Sequence, residues 1–285
     1  MDKQDNAGYL FLHVIDCILA LIFAQKNMKN NQRSSSLVKR LKLLAATCLL
    51  LTTPVFAQNI KVAVAANLQS VIKELAQNFK QKTGIQIEPI VGSSGNLATQ
   101  IRNGAPFDVF LSADMSFPSS LFTEGFATQK PAVYAWGSLI ICSSHDINFD
   151  SWDRLLLTNQ IKKIAIANPA IAPYGKAAEE ALKSKGILEL TKPKVVYGES
   201  ISQVNTYITT GSVDIGFTTQ ALVKDAMNKV PLFWKAIDPK IYLPIEQGMV
   251  VLKHGKGNAD AEKFYQYILS AAAGAIFEEY GYHIQ

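Results

Sequence analysis

Cysteine is scarce: the chain holds three in 285 residues, and two of them, Cys17 and Cys48, fall within the first 57. No pair is left in the remainder, so a disulfide scaffold is excluded. Cys142 sits in the apolar run Leu139-Ile140-Ile141-Cys142, where it reads as a small buried hydrophobe rather than a nucleophile. Histidine is also sparse. His145, His254 and His283 are spread singly beyond residue 57, and no His/Cys/carboxylate group has metal-ligand spacing. The chain lacks Gly-x-Ser-x-Gly. Its carboxylate groupings, Asp150 with Asp153, Glu179-Glu180 and Glu278-Glu279, read as solvated faces. These absences argue against an enzyme. No apolar run approaches the ~20 residues of a spanning helix, and there is neither a short-period repeat nor a low-complexity linker.

The body of the chain also lacks an excess of charge. The formal net charge is +5, but residues 1–57 carry 7 Lys+Arg and 3 Asp+Glu out of totals of 28 and 23. Residues 58–285 therefore hold 21 basic and 20 acidic residues, net +1. No basic nucleic-acid footprint remains. What is present is ordinary globular material, 48% hydrophobic and 18% charged, long enough for about two domain-sized units.

Residues 28–57 read as a secretory signal. Lys29, Arg33, Lys39, Arg40 and Lys42 form a basic n-region, 43–51 an apolar h-region, and Val55-Phe56-Ala57 a cleavage site with cutting after Ala57. The expected destination is the periplasm. Residues 1–27 fit poorly and read as an upstream extension, the alternative being a longer n-region. An uncleaved interfacial helix and a lipid-modified Cys48 are the other readings; Thr47 stands where the latter usually has Ala or Gly.

Beyond the leader, apolar strands alternate with amphipathic stretches. The pattern predicts strands at 60–65, 85–91 and 107–111 with helices at 68–83 and 97–103 between them, a β-α-β-α-β series that requires a parallel sheet. It restarts with strands at 138–143, 164–167, 194–197 and 214–217 and helices at 175–185 and 201–209. A strand at 248–252 and helices at 259–272 and 275–280 complete it. The expected fold class is α/β, with two lobes joined by strand-like crossovers. Residues 58–137 and 245–285 are assigned to lobe 1 and 138–244 to lobe 2. In such sheets ligands bind outside the carboxyl ends of the strands, here the cleft between the lobes.

Four strand-to-helix junctions are candidates for that site: Ala65-Ala66-Asn67, Gly92-Ser93-Ser94-Gly95-Asn96, the stretch 168–175 with Pro173-Tyr174-Gly175, and Gly198-Glu199-Ser200. A helix start leaves backbone N–H groups unpaired and carries partial positive charge. Four of them facing one cleft make a site for a small anion, and the loops hold no Arg or Lys. Each junction also has a purely structural reading. Asn67 and Ser200 are good N-caps, Gly-Ser-Ser-Gly is a common turn, and Tyr174 fits a surface position.

At these same residues the chain resembles the periplasmic molybdate-binding proteins of ABC transporters, the ModA family. The resemblance runs from about Asn59 to the C-terminus and is carried by VAVAANLQSVIKELAQNFKQKTGIQI, VGSSGNLATQIRNGAPFDVFLSAD, ANPAIAPYGKAAEEAL, GSVDIGF and FEEYGYHI. It implies a type II periplasmic-binding-protein fold: two mixed, mainly parallel sheets flanked by helices, closing on an oxyanion by hinge bending. It also implies molybdate and tungstate as cargo, no cofactor, a monomer, and a membrane permease with its ATPase as partners. The ligand set carried over is Ala66 and Asn67, Ser94, Tyr174 and Ile201. Many members have Ser where Asn67 stands and Tyr where Thr219 stands. The chain looks like the variety with Asn at the first site and Tyr at the third junction, so that the Tyr174 hydroxyl supplies what Thr219 cannot. A binding protein for sulfate, phosphate or another small anion on the same fold is the alternative; Asp108 and Asp114 lie nearby in sequence as acceptors for a protonated phosphate, although they read as strand and loop capping.

Overall fold

The computed structural model describes residues 59–226 and 230–284. The leader, with the readings for residues 1–27, 28–57, Cys48 and the cut after Ala57, lies outside them. Among the described residues no helix is long and apolar enough to cross a membrane.

The strands are β1 (Ile60–Ala65), β2 (Ile87–Gly92), β3 (Val109–Leu111), β4 (Ala132–Gly137), β5 (Leu139–Ser143), β6 (Ile164–Ala167), β7 (Val195–Gly198), β8 (Ile215–Thr219), β9 (Phe233–Ala236) and β10 (Ile245–Val251). They form two five-stranded sheets, ordered β2-β1-β3-β10-β4 and β7-β6-β8-β5-β9. The two sheets repeat one plan. β1 runs parallel to β2 and β3, with β10 antiparallel between β3 and β4. β6 runs parallel to β7 and β8, with β5 antiparallel between β8 and β9.

The helices are α1 (Val71–Thr83), α2 (Ser94–Arg102), α3 (Ser116–Thr123), α4 (Trp152–Leu155), α5 (Pro173–Ser184), α6 (Leu188–Thr191), α7 (Ile201–Thr209), α8 (Gln220–Ala226), α9 (Ala259–Ile268) and α10 (Ala271–Glu279). β1 shows how the first sheet earns helices on both faces. Ile60, Val62 and Val64 pack with Val71, Ile72, Leu75 and Phe79 of α1, while Ala63 packs with Leu97, Ala98 and Ile101 of α2. Side chains alternate across a strand, so a strand apolar throughout must be covered twice. The second sheet has its own core, built on Ile140, Ile164, Ile166, Ala178, Val204 and Phe217. Cys142 belongs to it, fully buried and free, with its thiol pushed up to about 12 by burial, an inert position as expected.

Two departures from the sequence reading have local causes. The helix expected over 68–83 starts as a separate 3-10 turn, Ala66–Leu68, before α1 begins at Val71. β4 and β9, with α3, α4, α6 and α8, were not expected. With β2 and β7 at the other edges, β4 and β9 each lie at one edge of a sheet. Their half-exposed residues give too short an alternation to stand out.

The chain passes from the first sheet to the second between Gly137 and Leu139, and returns between Ala236 and Ile245. The two passages touch: the Leu139 N–H donates to the Tyr242 hydroxyl at 3.2 Å. α8 bridges the units, with Ala221 buried in the first core and Leu222 and Val223 in the second.

Candidate oxyanion site

The carboxyl ends of parallel strands from both sheets converge on one small pocket. Its walls are Ala65, Ala66 and Asn67 after β1, Ser93 and Ser94 after β2, Ala113 after β3, Ala172, Pro173 and Tyr174 after β6, and Ile201 after β7. All five residues carried over from the family resemblance are thus brought together. None of the wall residues is charged.

The helix starts are built to leave donors free. Ala65 and Ala172 have no side chain to cap with, and Ser93 makes no capping bond. Pro173 opens α5 at the first position, where a missing N–H costs nothing. Gly175 bonds back to the Ala172 carbonyl at 2.9 Å, leaving the Tyr174 N–H between them. Asn67, Ser94, Tyr174 and Ile201 stand in the first turns of their helices, where an N–H has no acceptor within the helix, while Ala65 pairs with Gly92, so the Ala66 N–H continues the β1–β2 ladder. Four helix starts lining one pocket make an anion site without a formal cation.

The side chains were less foreseeable. Ser94 Oγ accepts from the Ala113 N–H at 3.0 Å, which leaves its own proton to donate. Asn67 is not an N-cap, which corrects that reading. Its side chain turns inward, donating to Gln247 Oε1 at 2.8 Å and to the Tyr282 hydroxyl at 3.0 Å. Gln247 Nε2 donates to the carbonyls of Ala113 and Ile245, and Tyr282 donates to the Asn67 carbonyl at 2.9 Å. With those donors committed, both Asn67 amide protons are spent. Asn67 offers the cavity its backbone N–H.

Tyr174 is buried to 1% exposure. Among the described residues its hydroxyl has no hydrogen-bond partner, and it lies 2.0 Å from where a Cβ on Gly137 would stand, a point 2.9 Å from Gln247 Nε2. The phenol therefore reaches the crossover between the sheets. Burial, reinforced by the neighbouring Tyr282 and Tyr134 phenols, holds it well above the usual tyrosine range, so it stays neutral. Thr219 is buried with its hydroxyl unpaired but is not a wall residue. Ser200 does cap, accepting from the Gln203 N–H at 3.4 Å, and places Ile201 first in α7.

Neither Asp108 nor Asp114 reaches the cavity. Asp108 accepts from the Lys61 N–H at 2.8 Å and pairs with His254 Nδ1 at 2.9 Å, so His254 is not isolated as its sequence position implied. Asp114 caps α3 through the Phe117 N–H, as read. Ser93 is the wall residue with a polar side chain that sequence reasoning passed over. The doubled serine of Gly-Ser-Ser-Gly was the available signal.

The family model for bacterial extracellular solute-binding proteins matches residues 60–283. The molybdate-binding protein ModA of Azotobacter vinelandii is 36% identical over 231 residues, covering 80% of this chain and 91% of that protein. ModA of Rhodobacter capsulatus is 37% identical, covering 81% and 91%. The solved structure of the Azotobacter vinelandii periplasmic molybdate-binding protein superposes with a TM-score of 0.75 at 33% identity, over 80% of this chain and all of that one. The fold is thus the type II periplasmic-binding-protein fold, and its relatives are transport components rather than enzymes. With that coverage and a site of this construction, the chain belongs to the bacterial extracellular solute-binding proteins, in the ModA family.

Proposed function

We propose that the protein binds molybdate, and with it tungstate, in the periplasm and hands it to an ABC transporter permease energised by an ATPase. The observation that carries this reading is that four helix starts line one uncharged pocket. The ligand-contributing residues are Ala66, Asn67, Ser94, Tyr174 and Ile201. Asn67, Ser94, Tyr174 and Ile201 give their N–H groups, Ser94 gives its hydroxyl as well, and Ala66 contributes the backbone beside Asn67. The chain represents the variety with Asn at the first site and Tyr at the third junction, but Tyr174 acts there through its backbone while its phenol sits at the crossover. Residues 58–137 with 245–285 form one lobe and 138–244 the other, hinged at the two crossovers, and the protein acts as a monomer once the leader is removed after Ala57.

Hydrogen bonds to a charged group contribute roughly 1.5–3 kcal/mol each. Five such bonds, less ordering costs, reach the micromolar to nanomolar range, about −8 to −12 kcal/mol. Neutral donors suit an oxyanion that carries no proton at neutral pH. A monoprotonated phosphate needs an acceptor, and Asp108 and Asp114 are engaged elsewhere. Molybdate and tungstate exceed sulfate in size at equal charge, so a cavity spanned from both lobes separates them by reach.

Calorimetric titration of the purified protein with molybdate, tungstate, sulfate and phosphate at one ionic strength tests the reading. Tight one-to-one binding of the first two, with the others weak, is expected. A preference for sulfate or phosphate would discard the cargo and keep the site. Ser94→Ala is expected to weaken molybdate binding by roughly 1–3 kcal/mol, because it removes a donor to a dehydrated anion. An unchanged Kd would remove Ser94 from the ligand set.

A further inference from the structure

Ser93 occupies the N-cap of α2, where a serine ordinarily turns its oxygen onto an N–H of the first turn. It makes no such bond. Ser200, at the corresponding position of α7, does. Ser93 is 4% exposed, and its Oγ has no partner among the described residues. It lines the cavity beside Ser94. Burying a hydroxyl unpaired is unfavourable, and the capping bond that would relieve it is one χ1 rotation away. The side chain instead stands at the wall of the pocket beside the Ser94 hydroxyl.

We propose that Ser93 is a second hydroxyl ligand, donating to the bound oxyanion alongside Ser94. The inference rests on the oxyanion reading above and extends it to a residue outside the five carried over from the family. Ser94 has its oxygen occupied by the Ala113 N–H, so it is fixed as a donor. Ser93 Oγ accepts from no N–H, so its hydroxyl is free to turn to whichever ligand oxygen lies nearest. The Gly-Ser-Ser-Gly loop thereby presents three donors from two consecutive residues: two hydroxyls and the Ser94 N–H.

The test compares wild type with Ser93→Ala and Ser93→Asp by calorimetric titration with molybdate and by thermal melting without ligand. Aspartate is an equally good cap but has no proton to donate at neutral pH. Ser93→Ala is expected to raise the molybdate Kd by about tenfold to a hundredfold, the loss of one hydrogen bond to a charged group, with an unchanged melting temperature. Ser93→Asp is expected to keep the fold and fail to restore binding. A wild-type Kd in the alanine variant, or recovery of binding in the aspartate variant, would show that the Ser93 hydroxyl donates nothing to the ligand and would overturn the inference alone. A wild-type protein that took up neither molybdate nor tungstate would overturn the oxyanion reading and this inference together.

Discussion

Replacing Gly95 by alanine is expected to weaken molybdate binding about a hundredfold, roughly 3 kcal/mol, while the unliganded protein melts where wild type does. Gly95 is the second residue of α2, and its N–H donates to the Ile171 carbonyl at 2.9 Å. Ile171 lies in the loop between β6 and α5, so the bond joins the two lobes at the edge of the cavity. Only a hydrogen fits between them. A Cβ on Gly95 would stand 2.9 Å from Ile171 Cα and Cβ and 3.0 Å from Cγ2. Ordinary carbon contacts are ~3.5–4.0 Å. Because Ile171 Cα is backbone, no rotamer change relieves the contact, and the lobes must separate by about half an ångström or more.

That separation falls on the ligand. In the proposed site Ala66, Asn67 and Ser94 belong to one lobe, Tyr174 and Ile201 to the other, and hydrogen bonds weaken steeply with length and angle. With the lobes apart there is no clash, and alanine favours the helix over glycine by roughly 0.5–1 kcal/mol. The signature is therefore a lost affinity without a lost fold. It is read as a raised Kd in titration and as a collapse of the molybdate-induced rise in melting temperature. Wild-type affinity would mean that the Ile171 loop yields and that the close approach of the lobes is not needed for binding.

How much of this was legible in the sequence depends on the range of the interaction. β1, β6 and α7 fall at 60–65, 164–167 and 201–209 as read, because each is an apolar run or a clean amphipathic stretch bounded by small or capping residues. The gathering of four helix starts was legible too, since it follows from parallel strands and the loops after them. The roles of side chains at the site were not. Asn67 is committed to Gln247 and Tyr282, 180 and 215 residues away. The Tyr174 hydroxyl ends at Gly137, and Asp108 finds His254 146 residues on. None of these partners leaves a mark within a window of one helix or strand. The two serines of Gly-Ser-Ser-Gly show the limit most sharply. Adjacent and chemically identical, they differ only in what surrounds them: Ala113 for Ser94, no partner among the described residues for Ser93.

Gly175→Ala is expected to cost stability and binding together, about 3 kcal/mol or more of folding free energy and a melting temperature lower by roughly 6–12 °C. Gly175 lies in the first turn of α5, directly against the end of β6. A Cβ there would stand 1.9 Å from the Ala167 carbonyl oxygen, 2.7 Å from its carbon and 3.2 Å from the Pro169 nitrogen. All three atoms are backbone, and two belong to the last residue of a central strand. The strand cannot give way without breaking its pairing with β7 and β8, so the helix start must retreat. Tyr174 precedes Gly175, and its N–H leaves the cavity with it, so molybdate affinity falls as well. Gly274→Ala in α10 is the control for the general effect of alanine in a helix. Its nearest neighbours there are Ile284 side-chain carbons at 3.6 Å and beyond, and the expected change is neutral or a gain of under ~1 kcal/mol. Thermal melting of both variants with and without molybdate decides the matter. A Gly175→Ala protein that melted with wild type would show that the β6–α5 loop relaxes freely, and that the contact with Ala167 is not what holds the Tyr174 N–H in place.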